Sequence, residues 1–86
     1  TNLWKAMSHA QNELLESERA TIPPPVSVNQ GEFELDDPMS GFRWKKLVRD
    51  TTPLPGIMVR QVNYQLLWNE GKNEFTYDAD IYVNPQ

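Results

Sequence analysis

No cysteine occurs anywhere in the 86 residues, so disulfides and thiolate metal sites are excluded. This does not fix the compartment, because a cysteine-free chain suits a reducing cytosol and an envelope protein alike. Histidine is nearly as scarce, His9 being the only one. The four glycines are scattered turn residues and form no phosphate-cradling loop. No apolar run approaches the ~18 residues needed to cross a bilayer. Basic residues are few: eight Lys and Arg stand against twelve Asp and Glu, giving a net charge of −4. Lys45, Lys46 and Arg49 are the only basic cluster, so the concentrated cationic surface that nucleic acid requires is missing.

What is present reads as one small domain. Its first segment, 1–20, has the pattern of an amphipathic helix. Leu3, Met7, Ala10 and Leu14 recur at spacings of four, three and four, with Trp4, Gln11 and Leu15 beside them. Thr1 or Asn2 is placed to cap it, yet the apolar stripe begins at once, as it would if a longer helix continued upstream. Pro23-Pro24-Pro25 ends the helix, because proline lacks the backbone donor and drives its predecessor out of helical geometry.

Residues 21–31 read as a stiff connector and 32–86 as a sheet. Glu32 to Asp36 is expected to form a short strand with Phe33 and Leu35 on one face, and Asp37 to Gly41 a turn. Phe42, Trp44 and Val48 alternate with Arg43, Lys45 and Arg49, while Lys46 and Leu47 break the pattern and suggest a bulge or a strand end. Thr51 to Gly56 looks like a proline-stiffened connection. Met58, Val62, Tyr64, Leu66 and Trp68 then share one parity. Arg60 shares it too and is expected near an end or an opposite charge. Asn69 to Lys72 supplies a hairpin loop, after which Phe75, Tyr77, Ala79, Ile81 and Val83 alternate with polar neighbours. The expected fold is α+β: an N-terminal amphipathic helix packed on an antiparallel sheet of about four strands.

Residues suited to chemistry are sparse. His9 falls off the main apolar stripe and is expected to be exposed, forming at most a surface pair with Glu13. Asp36-Asp37 lacks the acid spacing of a calcium loop. Asp78 and Asp80 point the same way on a strand, where acids keep an edge soluble. The serines occupy no nucleophile elbow. No acid–base pair, nucleophile or metal set is visible, which argues against an enzyme; no cofactor, catalytic residue or metal ligand is expected. Trp44 and Trp68 read as core. Trp4, in the first helical turn, has little of the domain to cover it and reads as a contact for another protein.

Taken together, the N-terminal helix, Phe42-Arg43-Trp44, Thr52-Pro53-Leu54-Pro55 and the strand Ile57-Met58-Val59-Arg60-Gln61-Val62 resemble the I-class minor pseudopilin of bacterial type II secretion systems. The specific part covers about twenty residues. Phe42 stands where that family often has tryptophan, and Leu54 where an acidic residue is common. The processing site and the apolar first half of the family's helix are not in the sequence. The resemblance implies a chain processed and N-methylated by a prepilin peptidase. It further implies an inner-membrane anchor upstream of the sequence given, with the domain itself in the periplasm. The family's partners are the J-class and K-class minor pseudopilins, joined at the pseudopilus tip that helps export folded proteins. On this view Leu3, Trp4, Met7, Ala10 and Leu14 lie partly on the sheet and partly on a partner helix, Ala10 permitting close approach. A minor pilin of a type IV pilus shares the same logic. A small ligand-binding module using Trp44, Trp68 and Tyr82 is a further alternative.

Overall fold

A computed structural model describes residues 1–85. One helix, α1 (Asn2–Arg19), is followed by four strands: β1 (Ser27–Glu32), β2 (Arg43–Leu54), β3 (Ile57–Glu70) and β4 (Asn73–Val83). The strands form a single antiparallel meander in the order β1-β2-β3-β4. The helix packs across β3 and β4. The α+β expectation therefore describes the molecule.

Local chemistry sets the helix limits. The Thr1 hydroxyl accepts from the Trp4 amide at 3.3 Å, so Thr1 is the N-cap. Ala20 is already extended, three residues ahead of the proline run. The Asn2 side-chain amide donates to Glu70 at 3.3 Å, which places the helix start beside the β3–β4 turn. At the other end the Lys46 ammonium donates to the Ser17 hydroxyl at 3.2 Å.

The core lies between the helix and one sheet face. Ala6, Ala10, Leu14, Val48, Val62, Tyr64, Leu66 and Trp68 are buried there, together with Met39 and Phe42 from the β1–β2 connection. Val62, Tyr64, Leu66 and Trp68 alternate along β3, as expected for the central strand of a sheet covered on one side. Each large apolar side chain so buried contributes roughly 1.5–3 kcal/mol. Small Ala6 and Ala10 let the helix backbone sit close above that row.

Several local expectations require correction. The connector is shorter than 21–31, because Ser27–Glu32 pairs with β2 from Val48 back to Arg43. This edge strand is held by backbone hydrogen bonds and has no alternating apolar pattern to betray it. Glu32 to Asp36 is not a strand: the chain leaves the sheet after Glu32 and turns, with the Met39 amide donating to the Asp37 carboxylate at 2.7 Å. Phe33 alone turns inward, and Leu35 is exposed. No bulge occurs at Lys46-Leu47. The register runs unbroken from Arg43 to Thr51, with Lys46 on the core side reaching Ser17, and the irregularity falls between Thr51 and Leu54. Most of Thr51 to Gly56 is strand, closed by a two-residue turn at Pro55-Gly56 in which Gly56 has φ +78°.

The β2–β3 hairpin outruns the rest of the sheet. The last β4 pair is Arg60 with Val83, so Val59 and everything beyond it pairs only with β2. Met58 has the core-facing parity but is exposed, because neither helix nor β4 reaches that far. Arg60 does meet an opposite charge: its guanidinium donates to the Asp50 carboxylate at 2.7 and 3.2 Å, and also to the Pro24 carbonyl at 3.2 Å.

Candidate functional site

The helix presents two unlike faces. Ala6, Ala10, Leu14 and Ser17 turn to the sheet and are buried. Trp4, Leu3 and Leu15 remain 67, 50 and 42 % exposed, and Met7 is intermediate. The five residues singled out as partner-facing therefore divide. Leu3 and Trp4 lie open, Met7 lies on the margin, and Ala10 and Leu14 are 0 and 6 % exposed against the sheet. Ala10 thus permits close approach of the helix to its own sheet and offers nothing to an outside helix. Leu3 lies in line with Ala10 and Leu14 on the same side at about 100° per residue, and is exposed because it sits in the first turn of α1.

His9 is not the exposed residue its position suggested. Its Nε2 lies 3.2 Å from the Tyr64 hydroxyl and 3.9 Å from Glu13, and its ring meets Phe33 edge-on at 5.0 Å. It is a packing residue that ties helix, β3 and the β1–β2 connection together. Burial, reinforced by the Glu13 charge, pushes the Tyr64 phenol well above its ordinary range, so the hydroxyl stays protonated. The Glu13 carboxylate is the third polar group beside the pair. The signal missed in the sequence was the sheet register, which alone puts Tyr64 under His9.

The three aromatics of the ligand-binding alternative do not converge. Trp68 is buried against Phe42 and Phe75, with ring centroids 5.3 and 5.9 Å apart. Trp44 lies on the same core face, near-parallel to Tyr64, and its indole lies where a side chain at Gly31 would have to go. Tyr82 pairs with Gln61 and belongs to the opposite face.

The centre of that opposite face, along β3 and β4, is polar. Asn63 donates to both Asp78 and Asp80, and Gln65 and Gln61 add one bond each, to Asp78 at 3.0 Å and Asp80 at 3.1 Å. The two carboxylates therefore have amide partners and stand on the solvated side of the sheet. Arg43 bonds Glu74 at 2.8 Å across the same face. A shallow trough of about 510 Å³ lies here between Gln30, Glu32, Arg43, Lys45, Gln65 and Leu67. Among the described residues no group of three or more His, Cys, Asp or Glu side chains is arranged to hold a metal ion. No helix among them is long and apolar enough to cross a membrane.

The outer side of α1 combines a fixed backbone with an uncovered indole and neighbouring aliphatic side chains, the residue types that dominate protein interfaces. No family model, curated protein or solved structure matches the chain.

Proposed function

We propose that this chain is an assembly subunit, the I-class minor pseudopilin of a type II secretion system, working through its helix and without catalysis. The observation that carries the docking role is the first turn of α1, where Trp4 is 67 % and Leu3 50 % exposed while Ala6, Ala10 and Leu14 further along the helix are buried. The family assignment rests on the resemblance of Phe42-Arg43-Trp44, Thr52-Pro53-Leu54-Pro55 and Ile57 to Val62, and a helix laid on an antiparallel meander accords with it.

In this reading the domain stands in the periplasm, anchored to the inner membrane by an apolar helix preceding Thr1. It joins J-class and K-class minor pseudopilins at the pseudopilus tip and supports export of folded proteins. Leu3, Trp4 and Met7 form the contact, and Ala10 and Leu14 hold the helix to the sheet.

Co-expression with tagged J-class and K-class partners tests this. The wild-type chain is expected to co-purify with them, and Met7→Glu to weaken the complex far more than it lowers the unfolding midpoint. Equal losses of complex and stability, or no complex with the wild-type chain, would contradict it.

A further inference from the structure

The two edges of the sheet are built differently. β1 is six residues long and contains Gly31. β4 runs for 11 residues, Asn73–Val83, with no proline, glycine or lysine. Its register with β3 is unbroken from Asn73 to Val83. Every second residue of β4 therefore turns its N–H and C=O away from β3. No strand among the described residues meets them. The usual guards of a sheet edge, namely brevity, a bulge, proline or lysine, are missing from this one.

The two faces of this edge ask for different side chains. On the helix side, Tyr77, Ala79, Ile81 and Val83 are half-buried and Phe75 is 41 % exposed, whereas their β3 neighbours Val62, Tyr64, Leu66 and Trp68 are buried. On the other side Glu74, Asp78 and Asp80 are exposed. Arg43 reaches across to Glu74. Asp78 and Asp80 accept from the neutral amides of Gln61, Asn63 and Gln65 and form no ion pair among the described residues. The nearest cationic row, Lys45 and Arg49, stands on β2, about 10 Å away across β3.

A second copy is a poor occupant. Antiparallel self-pairing centred on Ala79 sets Asp78 opposite Asp80 of the other copy, and centred on Tyr77 it sets Asp80 opposite Glu74. Parallel pairing about a two-fold axis turns the second copy over and lays the acids beside its apolar row. We propose that the edge of β4 takes a fifth strand from another protein, an extended segment in which basic and apolar residues alternate. Main-chain hydrogen bonds hold it, and the alternation selects it. Its apolar residues extend the cover over Phe75 to Val83, and its basic residues meet Asp78 and Asp80. This edge is separate from the first turn of α1, so the two contacts stand or fall independently.

Peptides of about nine residues, within the usual length of a strand, test the proposal. One alternates Lys with Val, a second alternates Glu with Val, and a third groups the lysines of the first at one end. Fluorescence anisotropy of labelled peptide is measured against the full chain at low salt. The alternating Lys peptide is expected to bind about tenfold or more tightly than either of the others. In Asp78→Lys/Asp80→Lys the preference between Lys and Glu is expected to invert, with an unchanged circular dichroism spectrum showing that the variant folds. Two further peptides carry N-methyl groups on every Val or on every Lys of the first. A strand pairs through one edge, so one of the two is expected to lose about tenfold or more and the other to bind like the parent. Equal binding of these two overturns strand addition. Equal binding of the alternating and grouped Lys peptides reduces the contact to diffuse charge attraction and overturns it as well. Glu binding as tightly as Lys overturns the choice of a basic segment, and binding of none overturns the edge as a site. A concentration-dependent dimer of the chain alone in sedimentation overturns the exclusion of a second copy.

Discussion

The two sides of α1 differ in what depends on them. On the sheet side, Ala6 and Ala10 are fully enclosed and Leu14 nearly so, where the helix packs on β3 and β4. On the outer side, Trp4 is the largest side chain of the helix and the least covered of its apolar ones. The helix buries two alanines and leaves its one tryptophan largely uncovered. Where the fold sets the demand, small residues bring two layers together; where it does not, large ones stand in water. A chain shaped by its own stability alone gains little from a Trp in that position, so the comparison points outward.

The largest effects are expected under the helix. Leu66→Ala, at a fully enclosed position on β3, is expected to cost about 2–5 kcal/mol, since the lost contacts and the residual cavity add. Urea denaturation read by fluorescence measures it, and a cost below about 1 kcal/mol would erase the contrast between the sides. Overfilling should hurt as well: Ala10→Leu has no space to enter and is expected to cost about 1–3 kcal/mol by forcing helix and sheet apart. If that variant were neutral, the close approach assigned to Ala10 would be wrong.

A smaller effect sharpens the comparison along the seam between layers. Tyr64→Phe removes the hydroxyl contact to His9 and is expected to cost about 1 kcal/mol near neutral pH. It should also change the alkaline limb. The buried phenol holds its proton in the fold more tightly than in the unfolded chain. The unfolded chain therefore gains by ionising first, and stability present below about pH 10 is lost as pH rises past it. Stability measured across that range should decline less steeply in Tyr64→Phe than in the wild type.

The smallest effect lies outside the helix contact. Hydrogen bonds from Arg60 hold the Asp50 carboxyl below its ordinary range. The pair therefore stabilises the fold above about pH 4 and ceases to do so as pH falls through the lowered value. Asp50 itself is exposed to solvent, so Asp50→Asn is expected to shift the melting temperature only slightly at pH 7 and to blunt the decline in acid. A large shift at pH 7 would mean that the hairpin tip is tied to the core, against its two-stranded projection beyond β4.

Much of the fold was legible in residue order because its longest elements carry unmixed periods. Val62 to Trp68 on β3 and Tyr77 to Val83 on β4 alternate cleanly, and Gly71 marks the turn between them with φ +64°. β1 was not legible: Ser27–Glu32 carries no apolar alternation and depends on partners in β2. Lys46 misled for a related reason. A lysine at a core-facing position looks like a break, until Ser17 of the helix supplies its hydrogen bond. At the candidate site, the exposure of Trp4 was anticipated from its place in the first turn, whereas Leu3 was read as part of the apolar stripe. The burial of Ala10 and Leu14 was not separable from it, because both stripes repeat at helical spacing and only the sheet decides which one it takes.

Equilibrium urea unfolding of Trp4→Glu/Leu15→Glu beside the wild type tests the division of the helix most directly. An unfolding free energy within about 0.5 kcal/mol of wild type, together with loss of co-purification with the tagged partners, is the predicted result. A stability loss as large as that of Leu66→Ala would contradict it, because the outer side would then be holding the domain together.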